Sequence, residues 1–78
     1  MISIEEIKQL VIQRETGCIE EIHDDQDIPM YVKRMKDDVN ECKNMNDIVE
    51  FFMITGLDVE ESYMAIIQML RENAKVKE

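Results

Sequence analysis

The chain has 78 residues, 45% of them hydrophobic and 35% charged, with eighteen acids against nine bases and a formal charge of −9. A hydrophobic core needs roughly 50 residues or more, so this length excludes two cores and implies one domain over residues 1–78. Two glycines and one proline exclude a disordered tail and argue against a sheet protein, and the acidity disfavours phosphate backbones and anionic membranes while favouring cationic partners.

The expected fold is all-α, a small compact bundle of three to four helices, three being the count attached to an unbroken first helix. Ser3 followed by Glu6 is a capping-box pair and should start that helix. Ile4, Ile7, Val11, Cys18 and Ile22 continue an apolar stripe at spacings of three, four and seven, with Leu10 beside it. Gly17 interrupts the stripe at about 1 kcal/mol relative to Ala. One reading is a single helix from 4 to about 23; the other is a helix to Glu15, a Gly17 cap and a short helix from Cys18 to His23. The single helix preserves the stripe better and is preferred.

His23 to Asp27 forms a polar, acidic turn, and Asp27 can cap the next helix two residues before Pro29. That helix should run from 28 to about 43. Ile28, Tyr31, Val32, Met35, Val39 and Cys42 form its apolar seam. On its other side, Lys33 with Asp37 and Arg34 with Asp38 make i,i+4 pairs worth roughly a few tenths of a kcal/mol each.

Asn44 or Asn46 can cap the third helix, and Gly56 should end it in the left-handed conformation. Placed at 100° per residue, Met45, Ile48, Val49, Phe51, Phe52, Met53 and Ile54 point in nearly every direction, which predicts a central helix with no face left to water. Asp58 with Glu61 repeats the capping pattern and opens the last helix, from about 59 to 73. With Val59 at 0°, Ile66, Leu70, Tyr63, Ala74 and Ile67 span about −20° to 80°, and Met64 and Met69 lie on opposite shoulders of that stripe. Beyond Asn73 the tail is expected to fray, with Lys75 and Lys77 suited to the negative end of the helix dipole.

Chemistry-bearing clusters are few. His23 with Asp24, Asp25 and Asp27 has metal-ligand residue types, but a calcium loop counted from Asp25 has Met30 at its sixth position and Lys36 at its twelfth. There is no second His, no Gly-rich phosphate loop and no nucleophile in a strand–turn–helix context. No metal, cofactor or enzymatic activity is expected. Cys18 and Cys42 lack a CxxC spacing; on antiparallel helices they would stand roughly 12 Å out of register. Both are read as reduced, small core residues.

The segment Ile48 to Leu70 reads helix, Thr55-Gly56-Leu57 turn, helix. This resembles the generic layout of a helix-turn-helix and the first two helices of small ubiquitin-binding helical domains; an αα-hairpin with no binding role has the same pattern. The length and acidity are also similar to those of acyl carrier proteins, whose cofactor serine lies in an Asp-Ser-Leu motif. Here Ser62 sits in Glu61-Ser62-Tyr63, and that motif is absent.

Seven methionines in 78 residues exceed ordinary usage, and unbranched thioethers suit adaptable binding surfaces. Met53, Met64 and Met69 go beyond what a one-sided stripe requires, and Glu60 and Glu61 lie among them. From Asn44 to Leu70 there is no Lys or Arg at all. The expected function is a small acidic protein-interaction module, such as an inhibitor, antidote, adaptor or regulatory subunit. It would use an apolar patch with an acidic rim that selects a basic protein partner. A homodimer is compatible with this reading. The alternative is a helix-turn-helix DNA-binding regulator with the last helix on DNA, which would need Lys33, Arg34, Lys36 and Arg71 on one face. No stretch approaches the ~20 apolar residues of a membrane span, and the opening MISIEEIKQLVIQ lacks the pattern of a secretory signal, so a cytoplasmic location is expected.

Overall fold

Three of the four described helices begin at a short polar side chain that bonds their first turn. The computed structural model describes residues 3–77, with side chains described to residue 73. Helix α1 spans Ile4–Ile22, α2 Ile28–Glu41, α3 Met45–Ile54 and α4 Val59–Lys77, and the described residues include no strand. The fold is all-α with four helices. Although α1 is unbroken, the count does not fall to three, because α2, α3 and α4 are each separate helices.

The caps follow the residue types. Ser3 Oγ accepts the Glu6 amide at 3.2 Å, and Asn44 Oδ1 accepts the Asp47 amide at 3.0 Å. At the start of α4 the pair is reciprocal: Asp58 Oδ1 accepts from the Glu61 amide at 2.7 Å, and Glu61 Oε1 from the Asp58 amide at 3.2 Å. Asp27 departs from expectation, since its backbone is already helical and its side chain makes no cap bond. A turn from Asp24 takes its place, the Asp24 carbonyl accepting the amides of Asp27 and Ile28 at 2.9 and 3.2 Å. Helix α2 also stops earlier than expected, with Cys42 extended.

Gly56 has φ +108°, and the Gly56 and Leu57 amides donate to the carbonyls of Met53 and Phe52 at 3.0 and 3.2 Å. This paired pattern is the Schellman motif, which satisfies carbonyls that the end of α3 would leave bare. Gly17, by contrast, leaves no mark on α1. A helix interior tolerates one exposed glycine at about 1 kcal/mol.

The helices pack in a ring, with α1 against α2 and α4, and α3 against α4 and α2. Inside it lie Ile7 and Val11 from α1, Met35 and Val39 from α2 with Cys42 just beyond it, Ile48, Val49, Phe51 and Phe52 from α3, and Ile66 and Met69 from α4. The two phenylalanine rings meet edge to face with centroids 5.7 Å apart, and the Arg14 guanidinium stands 5.5 Å from the Phe52 centroid. The seam predicted for α2 is the one that is buried.

Three apolar expectations fail. On α1 the stripe holds through Val11 but not to its end, since Cys18 and Ile22 are exposed and Ile19 packs against the core instead. At 100° per residue Cys18 and Ile22 stay within about 20° of Val11, so the stripe itself does not turn away; the cover over it ends before the last turns of α1. On α3, Met53 and Ile54 face water rather than completing an all-round buried helix. Helix α4 keeps Ile66 in the core and Leu70 against it, as the predicted stripe has them, but exposes Val59, Tyr63 and Ile67 from that stripe. Of the two i,i+4 pairs expected on α2, Lys33–Asp37 closes at 2.9 Å, while Arg34–Asp38 is not among the ion pairs of the described residues.

One buried residue was legible only in three dimensions. Lys8 is 6% exposed, and its ammonium donates to the Asn40 carbonyl at 3.0 Å. That carbonyl belongs to the last turn of α2, where carbonyls lack intrahelical partners and the helix dipole favours a cation.

Candidate functional site: the open face of the α3–α4 hairpin

The hairpin is set by local bonds at both ends of its turn. The Schellman motif closes α3, the Asp58–Glu61 box opens α4, and Leu57 between them packs against the core. With the entry of α4 held this way, Ser62 faces inward and is fully buried, its hydroxyl donating to the Asp58 carbonyl at 2.7 Å. Ser62, Ile66 and Met69 are buried, with Ala65, Leu70 and Asn73 half-buried beside them. The small side chains at 62 and 65 suit close approach of α4 to its neighbours α1 and α3, because interaxial distance follows the size of the contact residues.

On the helical projection with Val59 at 0°, the buried face therefore centres at about −50°, whereas the predicted stripe centres at about +30°. That rotation of about 80° decides what faces water. Val59, Tyr63, Met64 and Ile67 are exposed. Together with Met53 and Ile54 they make six of the eight exposed large apolar residues among the described ones; the other two are Ile22 and Met30. A concentration of this kind on one hairpin marks an interaction surface more often than scattered single residues do.

The predicted partner-binding residues divide accordingly. Met53 and Met64 are exposed, at 44% and 59%. Glu60 and Glu61 are exposed as well, although Glu61 spends one carboxylate oxygen on the Asp58 amide. Met69 is 5% exposed and belongs to the core, so its place in the patch is corrected. Ile54, Val59, Tyr63 and Ile67 are surface residues that the wheel assigned to the interior. No sequence signal marked them, because a buried serine reads as a polar surface position until its neighbours are known.

Beside this surface runs an open groove of about 540 Å³. Leu57, Met64, Ala65 and Ile67 give it apolar walls, Asp58, Glu60 and Glu61 crowd one end, and Arg14 and Arg71 border it. The bases that a DNA-bound α4 would recruit are dispersed: Lys33, Arg34 and Lys36 lie on α2, which stands across the ring from α4.

Elsewhere the candidate chemistry is ordinary. Among the described residues no group of three or more His, Cys, Asp or Glu side chains could hold a metal. The His23 ring instead stacks on Tyr31 with centroids 4.0 Å apart and planes 22° off parallel. Both cysteines are free. Burial, and secondarily the carboxylate of Asp47, push the Cys42 thiol above its ordinary value. No described helix is long and apolar enough to cross a membrane. The chain matches no family model, no curated protein and no solved structure.

Proposed function

We propose that this protein is a protein-interaction module that docks a basic partner on the exposed apolar face of the α3–α4 hairpin. The supporting observation is the coincidence of two features. The hairpin carries six of the eight exposed large apolar residues among the described ones, and its sequence from Asn44 to Leu70 contains acids but no base. Met53, Ile54, Val59 and Met64 form the apolar contact. Glu50, Asp58, Glu60 and Glu61 surround it with negative charge. An apolar centre supplies the affinity of an interface, and a one-signed rim supplies steering and partner choice. Inhibitors, antidotes, adaptors and regulatory subunits work in this way, without chemistry of their own.

The test is titration of a basic amphipathic helical peptide into the protein by calorimetry, at low and at high salt. Binding should weaken as salt rises, and Ile54→Lys, which adds a cation at a position 84% exposed, should abolish it while the circular dichroism spectrum is retained. Binding that ignores both salt and Ile54→Lys would refute this assignment. Met69→Lys, by contrast, would put a charge in the core and report on folding.

A further inference from the structure

Glu60, Met64, Ile67 and Arg71 follow one another at intervals of four, three and four residues. On α4 that spacing gathers them in a stripe about 60° wide. Over eleven residues at about 1.5 Å each, the stripe is some 17 Å long. All four side chains are exposed and all four line the same open groove. The stripe carries an acid at its N-terminal end, a base at its C-terminal end and two apolar side chains between. Among the described residues no ion pair engages either Glu60 or Arg71.

The interval pattern reads the same in both directions, and the charges at its two ends are opposite. Consider a second copy related by a two-fold axis crossing α4 midway between Met64 and Ile67. Glu60 then faces Arg71 of the second copy, Arg71 faces Glu60, and each Met64 faces an Ile67. Every contact occurs twice, as an isologous interface demands. A parallel arrangement would instead set like charges against each other at both ends. A basic ligand suits the acidic end of the stripe but meets Arg71 at the other, so the charge pattern matches a second copy better.

We infer that this chain forms an antiparallel α4–α4 homodimer through the Glu60–Met64–Ile67–Arg71 stripe. The inference rests on the reading of the hairpin as a docking surface and narrows it: Glu60 and Met64 go to the second copy, and Met53, Ile54 and Val59, with Glu50, Asp58 and Glu61, are left to the basic partner. Three turns of one helix per copy place the contact at the small, weak end of protein interfaces.

The experiment is sedimentation equilibrium of the full chain at about 0.15 M salt, where the mutual repulsion of two acidic copies is largely screened. The concentration series should reach about 1 mM, as befits a weak interface. The mass should rise toward that of a dimer. Glu60→Arg and Arg71→Glu, each of which turns two attractive pairs into repulsive ones, should each raise the dissociation constant roughly tenfold, and the double variant E60R/R71E should restore it. A monomeric mass throughout would overturn the homodimer. So would a dimer indifferent to the single reversals, or one that both reversals weaken and their combination fails to rescue. Both positions are exposed, and unchanged circular dichroism confirms that the variants fold. Peptide binding at the Met53–Ile54 tip is read separately, so a failed dimer and a failed interaction surface are told apart.

Discussion

Replacing each of the two glycines by alanine should shift stability in opposite directions. At neither position would an added methyl meet another atom within 4 Å, so packing contributes nothing and the backbone alone decides. Gly17 lies inside α1, where Gly is worse than Ala by about 0.8–1 kcal/mol, and Gly17→Ala should stabilise by about that amount. Gly56 has φ +108°, beyond the usual left-handed basin, where an L side chain costs about 1–3 kcal/mol. Gly56→Ala should therefore destabilise by about that much. The two variants should differ by roughly 2–4 kcal/mol, a large part of the ~4–12 kcal/mol total expected for a domain of this size. In thermal melts each kcal/mol should appear as about 4–8 °C. Urea unfolding with unchanged slopes would give the free energies directly. Gly56→Asn should fall between Gly and Ala, since asparagine tolerates the left-handed region. If both alanine variants moved stability the same way, the assignment of Gly17 to helix interior and Gly56 to a left-handed cap would be refuted.

The remaining predictions concern buried polar groups. Lys8→Met keeps the buried stem and removes the ammonium that holds the Asn40 carbonyl; a lost charged hydrogen bond predicts about 1.5–3 kcal/mol of destabilisation in urea, and a variant as stable as the parent would show that burial of the charge cancels the bond. With a thiol-reactive disulfide reagent, Cys18 should be modified in the native protein and Cys42 only at the rate of unfolding; equal rates would contradict the burial of Cys42. Because the folded Cys42 thiol is pushed above its ordinary 9.0, the native state holds its proton more tightly than the unfolded chain. Its contribution to stability is whole below about pH 9 and is lost as pH rises through the folded value. Stability measured from pH 8 upward should thus fall less in Cys42→Ala than in the parent, once the variant's own packing loss is subtracted as a constant offset.

Much of this protein was written in short stretches of its sequence. The caps at Ser3, Asn44 and Asp58, the Gly56 terminator and the seam of α2 are local features, made by atoms within a few residues of one another. They could be read without knowing where the other helices lie. The seam of α2 was legible for a further reason: its apolar residues number no more than one face can hold, so only one orientation buries them.

The faces of α3 and α4 are different, because both helices carry more apolar residues than one face can hide. Periodicity then admits several orientations of nearly equal apolar content, and it pointed to Val59, Tyr63 and Ile67 as core. Tertiary structure chose another face, turned inward by the hairpin bonds and by the small residues Ser62 and Ala65 between close-packed helices. That choice buried Met69, exposed Tyr63 and Ile67, and created the surface on which the proposed interactions depend. Lys8 teaches the same lesson for charge: a lysine reads as solvated until a carbonyl 32 residues away is brought within 3.0 Å of its ammonium. Helix limits are thus decided by neighbours in sequence, whereas the facing of an over-apolar helix is decided by neighbours in space.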